Sequence, residues 1–169
     1  LEDFMLEIVE TAQVLAIDKP IAIRWDRSEQ SVMLSTDRQK LQQNLLNLVN
    51  NAVKFTPEGH VTLATELPSG GDIIFSVRDS GIGIPESELS QIFDEFRQVD
   101  GTSTRQFGGT GLGLAISNKF AGHLGGELSA DSELGVGSVF ALRIPLHLVD
   151  EEGLSASAHI PVALDSTLS

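Results

Sequence analysis

Cysteine is absent from the chain, which excludes a disulfide framework and any thiolate metal site and leaves the compartment unreadable from redox chemistry. Basic residues are scarce: 11 Lys and Arg stand against 24 Asp and Glu, a formal charge of −13. Such a surface repels phosphate backbones and anionic lipid heads, so neither nucleic acid nor a membrane surface is expected as a direct partner. No apolar run approaches the roughly 20 residues that a membrane-spanning helix requires. An initiator Met and a signal-peptide pattern are also missing, and a chain that opens on Leu1 reads as a piece of a longer protein. Neither a G-x-G-x-x-G fingerprint nor a Gly-Lys-Ser/Thr P-loop occurs, which removes two common phosphate-binding devices. Any polyanion bound here must be met locally, by a metal ion, a helix N-terminus or a few placed cations.

What is present suits one domain and a loose end: 169 residues, 41% of them hydrophobic, are enough to bury a sizeable core. Leu1, Phe4, Met5, Ile8, Ala12 and Leu15 keep helical spacing, although Phe4-Met5-Leu6 can equally open with a strand; Pro20 ends the segment. "IAIRW" alternates as a strand should. Asp37 is a candidate N-cap for a long helix whose apolar face is Leu41, Leu45, Leu48, Val49, Ala52 and Val53. "HVTLATEL" and "DIIFSVRD" are joined by Pro68-Ser69-Gly70-Gly71, a hairpin signal. A short helix is expected from Glu86 to Phe96, then a glycine-rich loop, then a helix over "LGLAISNKFAGHL", and two strands, "GELSADS" and "GSVFALRIPL". The expected fold is α+β: a two-layer sandwich with a mixed, mainly antiparallel sheet of about five strands, covered on one face by three helices. Residues 1–148 form the domain on this reading, and the acidic 149–169 form a flexible tail.

Four segments carry chemistry. In "NLVNNAVKFT", Asn47 and Asn51 are four apart and share a helix face, with Asn44 one turn further back and Asn50 pointing elsewhere. Paired amide oxygens suit a hard cation such as Mg²⁺. They also suit the satisfying of buried backbone groups or simply facing water, and this helix taken alone favours that reading. "DSGIGIP" follows a strand directly, so Asp79 stands at a strand end as an acceptor, while Gly81 and Gly83 permit positive φ and close backbone approach. An ordinary Asp-Ser-Gly turn explains it equally well. "FGGTGLGL" leads into a helix and aims N–H groups at one spot where an anion is welcome, or it is a plain linker. "ELGVGSVF" reads, from spacing, as a hairpin turn.

In their order, the Asn-rich helix, "DSGIGIP", "IFDEFRQVD", "GGTGLGLAI" and "GVGSVF" resemble the N, G1, F, G2 and G3 boxes of the catalytic ATP-binding domain of sensor histidine kinases. That family belongs to the superfamily of gyrase, heat-shock chaperone and mismatch-repair ATPases, and the likeness runs from about residue 4 to about residue 148.

The resemblance implies ATP and Mg²⁺ as ligands, with Asn47 and Asn51 facing the metal and Lys54 near the phosphates. It implies that Asp79 accepts the adenine amine, that Gly81 and Gly83 let the backbone approach the base beside Ile84, and that Ser138 reaches the base through water. Phe93 and Phe96 would anchor a lid that includes Arg105. Gly109, Thr110, Gly111, Leu112, Gly113 and Leu114 would wrap the phosphates. Residues from about Gln98 to Thr110 would form that lid, and the stretch "RQVDGTSTRQFGGTGLGL" is similar to that of hybrid-type kinases.

One departure from the ATPase branches bears on chemistry. They carry a glutamate base where this helix has Asn47, and an amide cannot take a proton from water at neutral pH. The site is thus suited to holding MgATP for transfer. None of the four histidines, His60, His123, His147 and His159, has the H-E/D-x-x-[TN]-P setting of a phosphoacceptor. The resemblance therefore implies a dimerisation and phosphoacceptor domain elsewhere in a cytoplasmic portion of the parent, with a response regulator as indirect partner. A serine kinase of the anti-sigma type, or a non-catalytic nucleotide-binding module, are the alternatives on the same fold.

Overall fold

The computed structural model describes residues 1–30, 32–95 and 113–146. Its elements run α1 (Glu2–Leu15), β1 (Ile21–Asp26), α2 (Arg38–Lys54), β2 (Gly59–Glu66), β3 (Asp72–Asp79), α3 (Glu86–Leu89), α4 (Gly113–His123), β4 (Glu127–Glu133) and β5 (Gly137–Pro145). The five strands form one sheet in the order β1-β2-β3-β5-β4, with β1 and β2 parallel and every other pair antiparallel. The parallel pair follows from α2, a crossover long enough to return the chain to the same end of the sheet. Helices α1, α2 and α4 pack on one another in that order and against the sheet, as the sequence led us to expect.

Alternation along the strands explains the single core. The helix-facing row holds Leu63, Val77 and Phe140; the next holds Thr65, Phe75 and Leu142; and Ile73 pairs with Ile144 beyond them. From α2, Leu41, Leu45, Leu48, Val49, Ala52 and Val53 all pack into this core. Burying each leucine side chain contributes about 1.5–3 kcal/mol, so α2 is the main apolar support of the sheet.

Both ends of α2 are capped. Asp37 accepts from the Lys40 N–H at 3.1 Å and from Lys40 Nζ at 2.8 Å, and these contacts hold its carboxyl below the ordinary value. At the other end Lys19 Nζ donates to the carbonyls of Val53 at 2.7 Å and Lys54 at 3.2 Å, satisfying acceptors that the helix itself leaves open.

One open alternative is settled and one expectation needs correcting. The first segment contains no opening strand: Phe4 and Met5 are both buried within α1, which ends at Leu15 before Pro20 is reached. The helix expected from Glu86 to Phe96 stops at Leu89. Past Leu89 the chain winds on in turns, with Gln91 N donating to Glu88 O at 3.0 Å and Asp94 N to Gln91 O at 3.1 Å. That winding lets Ile92 enter the core and Phe93 meet Phe140 edge-on, at 6.5 Å between ring centroids and 82° between planes. Phe96 and the expected 149–169 tail lie outside the described residues, as do His147 and His159.

Candidate nucleotide site

The innermost row of the sheet's helix-facing side changes character at one end. Val61 pairs with Asp79, Asp79 with Ser138, and Ser138 with Ser132, so three polar side chains follow in register where neighbouring rows are apolar. Asp79 retains only 7% of its surface. Its Oδ1 accepts the Gly81 N–H at 2.9 Å. Burial drives its carboxyl above the ordinary value, and the N–H groups of Gly81 and Ser138 only partly oppose this.

That shift has a consequence for stability. A carboxyl raised in the folded state favours folding most at low pH, and the advantage is lost as pH rises from the unfolded value, about 3.8, through the raised folded value. Above that raised value the native state carries a buried anion. We expect Asp79→Asn to melt no lower than wild type at pH 7, and its advantage to shrink as the solution is acidified through the raised folded value, until it is gone near pH 3.8. Melting curves by circular dichroism across that range measure it, and an advantage that grows on acidification contradicts the assignment.

The segment after Asp79 is held on both sides. Ile82 N donates to Phe55 O at 3.1 Å, which ties the segment to the end of α2; Gly135 N donates to Ile82 O at 2.8 Å, which ties it to the β4–β5 turn. Ile84 N donates to Ser132 Oγ at 2.8 Å, and Ser132 donates in turn to Gly137 O at 2.9 Å. Ser132 has one hydroxyl proton, so in its 2.7 Å contact with Ser138 the proton comes from Ser138. The Ser138 oxygen keeps its acceptor lone pairs beside Asp79.

The two glycines of the segment serve different needs. Gly83 has φ +70°, and a side chain there would run into the Glu133 carbonyl. Gly81 lies outside the positive-φ region and is needed for space: a Cβ on it would sit against Phe55 O, 2.8 Å from Thr56 Oγ1 and 2.9 Å from Asp79 Oδ1. Thr56 is fully buried, and its hydroxyl has no hydrogen-bond partner.

Asn47, Asn51 and Lys54 occupy the last three turns of α2, leading into Phe55 and Thr56. All three are half-buried. Gln43 Nε2 donates to Asn47 Oδ1 at 3.1 Å, one turn away, and the oxygen keeps a second lone pair. Lys54 Nζ stands 5.4 Å from the centroid of the Phe55 ring. Gly113 and Leu114 open α4, with Leu114 against the core. Arg105, Gly109, Thr110, Gly111 and Leu112 lie outside the described residues.

Among the described residues no cluster of three or more His, Asp or Glu side chains is placed to hold a metal ion. The oxygen donors near α2 are amides, which fit a hard cation that draws most of its ligands from phosphate and water. The donor set is thus compatible with Mg²⁺.

Sequence reasoning passed over Ser132 and Thr56. Counting alternate residues from Leu128 through Ala130 would have put Ser132 on the inner face. Nothing local marks Thr56, which is brought to Gly81 by the packing of α2 on β3.

Comparison with known proteins agrees with this geometry. Residues 36–148 match the family described as histidine kinase-, DNA gyrase B- and HSP90-like ATPase. The autoinducer 2 sensor kinase/phosphatase LuxQ of Vibrio cholerae is 38% identical over 124 residues, which are 72% of this chain and 14% of that protein. The aerobic respiration control sensor protein ArcB of Escherichia coli is 46% identical over 118 residues, 69% of this chain and 15% of that protein. Among solved structures, full-length ShkA in complex with AMPPNP superposes with a TM-score of 0.78 at 35% identity, covering 87% of this chain and 30% of that one. The chain belongs to the histidine kinase-, DNA gyrase B- and HSP90-like ATPase family, in which it is an ATP-binding catalytic domain of the sensor histidine kinase kind. It spans about one seventh of the length of the curated relatives it matches.

Proposed function

We propose that this domain binds MgATP with the adenine amine on Asp79 and donates the γ-phosphoryl group to a histidine on a separate dimerisation domain of its parent, from which a response regulator draws it. The observation that carries the reading is the buried carboxyl group of Asp79 at the end of β3, 7% exposed, the only buried acid among the described residues, beside a close-packed glycine and the buried Thr56 hydroxyl. The N–H groups of Gly81 and Ser138 only partly offset the desolvation of this carboxyl, which suits a further donor such as the exocyclic amine of a purine.

Each group then has a role. Asp79 accepts from the base, and the free acceptor side of Ser138 suits a water shared with it. Gly81 keeps the space above Phe55 and Thr56 clear of a side chain. Asn47 and Asn51 would hold Mg²⁺, which neutralises charge on the phosphates. Lys54 supplies a cation in a domain whose formal charge is −13. Gly113 and Leu114 offer N–H groups at the start of α4; by the resemblance, Gly109, Thr110, Gly111 and Leu112 would wrap the phosphates with them, and Arg105 would serve in a lid that Phe96 anchors. Asn47 takes no proton from water, so hydrolysis gains no general base from this position and bound nucleotide is kept for an incoming nucleophile. The domain works in the cytoplasm, where ATP is available. Among the described residues no helix is long and apolar enough to cross a membrane.

Titration calorimetry with ATP, with and without Mg²⁺, tests the metal assignment. Wild type should gain affinity when Mg²⁺ is added, and Asn51→Ala should lose about tenfold of that gain, the worth of one ligand in a site of this kind. An unchanged Mg²⁺ dependence in Asn51→Ala removes Asn51 from the metal.

A further inference from the structure

Resting on the nucleotide reading above, we propose that Asn44 is a positioning residue whose amide sets the register of α4 against the metal-facing side of α2.

Asn44 has no exposed surface, and its Nδ2 donates to the main-chain carbonyl of Ser117 at 2.9 Å, joining residues 73 apart in the chain. Ser117 lies one turn inside α4, which begins at Gly113 directly after the glycine-rich stretch. Along α2, Asn44 precedes Asn51 by seven residues, close to two turns, which leaves the two side chains about 20° apart around the axis. One stripe of α2 therefore holds the phosphate-binding helix at its buried end and presents amides at its half-buried end.

Packing alone does not account for an amide at this seat. The neighbouring buried positions of α2 are Leu41, Leu45, Leu48 and Val49. Asn44 Oδ1 and Ser117 Oγ are both buried with no partner. An apolar side chain would leave no carbonyl oxygen stranded in the core. Apolar contact is non-directional, however, and allows two helices to slide or roll. The amide supplies what leucine lacks, one directional bond to a fixed point on the α4 backbone. A slip of one residue along α4 would move its first N–H groups by about 1.5 Å relative to Asn47 and Asn51.

Asn44→Leu separates positioning from support. Its melting temperature without nucleotide should equal or exceed that of wild type. Its affinity for MgATP, by calorimetry, should fall about two- to thirtyfold, the range for a residue that acts through another element. Adenosine, which lacks phosphates and engages only the Asp79 end, should bind as in wild type when followed by NMR shift changes. Asn44→Ala, which opens a cavity instead of filling it, should show the same split at a lower melting temperature. Wild-type MgATP affinity in Asn44→Leu, or equal proportional losses for adenosine and MgATP in both variants, overturns the positioning role. A wild-type chain that binds neither ligand overturns the nucleotide reading itself, and the role of Asn44 with it.

Discussion

Asp79→Asn is expected to remove most of the affinity for adenine nucleotides while leaving the sheet intact. The substituted side chain keeps an oxygen for the Gly81 N–H, a bond of 2.9 Å in the native site, so the turn after β3 retains its local tie. The NH₂ group then occupies the position of an acceptor and confronts the base amine donor to donor. Losing a charge-assisted hydrogen bond costs about 1.5–3 kcal/mol, and leaving two donors opposed inside a closed site adds to it. A loss near 100-fold in Kd for ATP is the expected result, together with a native circular dichroism spectrum. The loss should appear equally for ADP and for adenosine, since all three share the base. A variant that discriminates against ATP alone would move the carboxylate's role from base to phosphate.

Replacing Gly83 by alanine should have the largest effect on folding. Its φ of +70° lies in the left-handed region, where a Cβ adds about 1 kcal/mol or more of strain. The added carbon would also collide with the Glu133 carbonyl, a backbone group at the end of β4, just before the β4–β5 turn, that cannot rotate away. That turn accepts no easy shift, because Gly135 N is bonded to Ile82 O at 2.8 Å and Ser132 joins Ile84 to Gly137. The sum is about 3 kcal/mol of lost stability, read as a lower urea midpoint. Gly122→Ala is the internal comparison: it sits within α4 with no atom near its missing Cβ, and helix propensity alone should raise stability by up to about 1 kcal/mol. Equal midpoints for the two variants would show that the segment after Asp79 is looser than these contacts require.

The elements differ in how far the sequence exposed them. Long periodic segments were plain: α2 runs from an Asp37 cap through its apolar face to Lys54, and the β2–β3 hairpin closes through Gly70 and Gly71. The turn read from "ELGVGSVF" is a hairpin turn, and its tip also grips Ile82, a contact that spacing cannot show. The stretch after Pro85 was misjudged because its apolar residues satisfy a helical period over too short a span. Phe93 meets Phe140 from the turns that follow Leu89, a contact that lies outside any helical period. The amides of α2 were read with two roles open, and both kinds of side chain are present: Asn44 is buried on the α4 backbone, and Asn47 and Asn51 remain half-exposed.

By itself the sequence determined the two-layer architecture and the order of the motifs, because hydrophobic period, caps and glycine turns act over a few neighbouring residues. Tertiary structure alone decided which polar groups face one another: the Asp79, Ser138 and Ser132 row, the Thr56 hydroxyl beside Gly81, and Asn44 against Ser117. Those pairings depend on strand register and helix placement across dozens of residues, and no local pattern encodes the distance between two atoms so far apart along the chain.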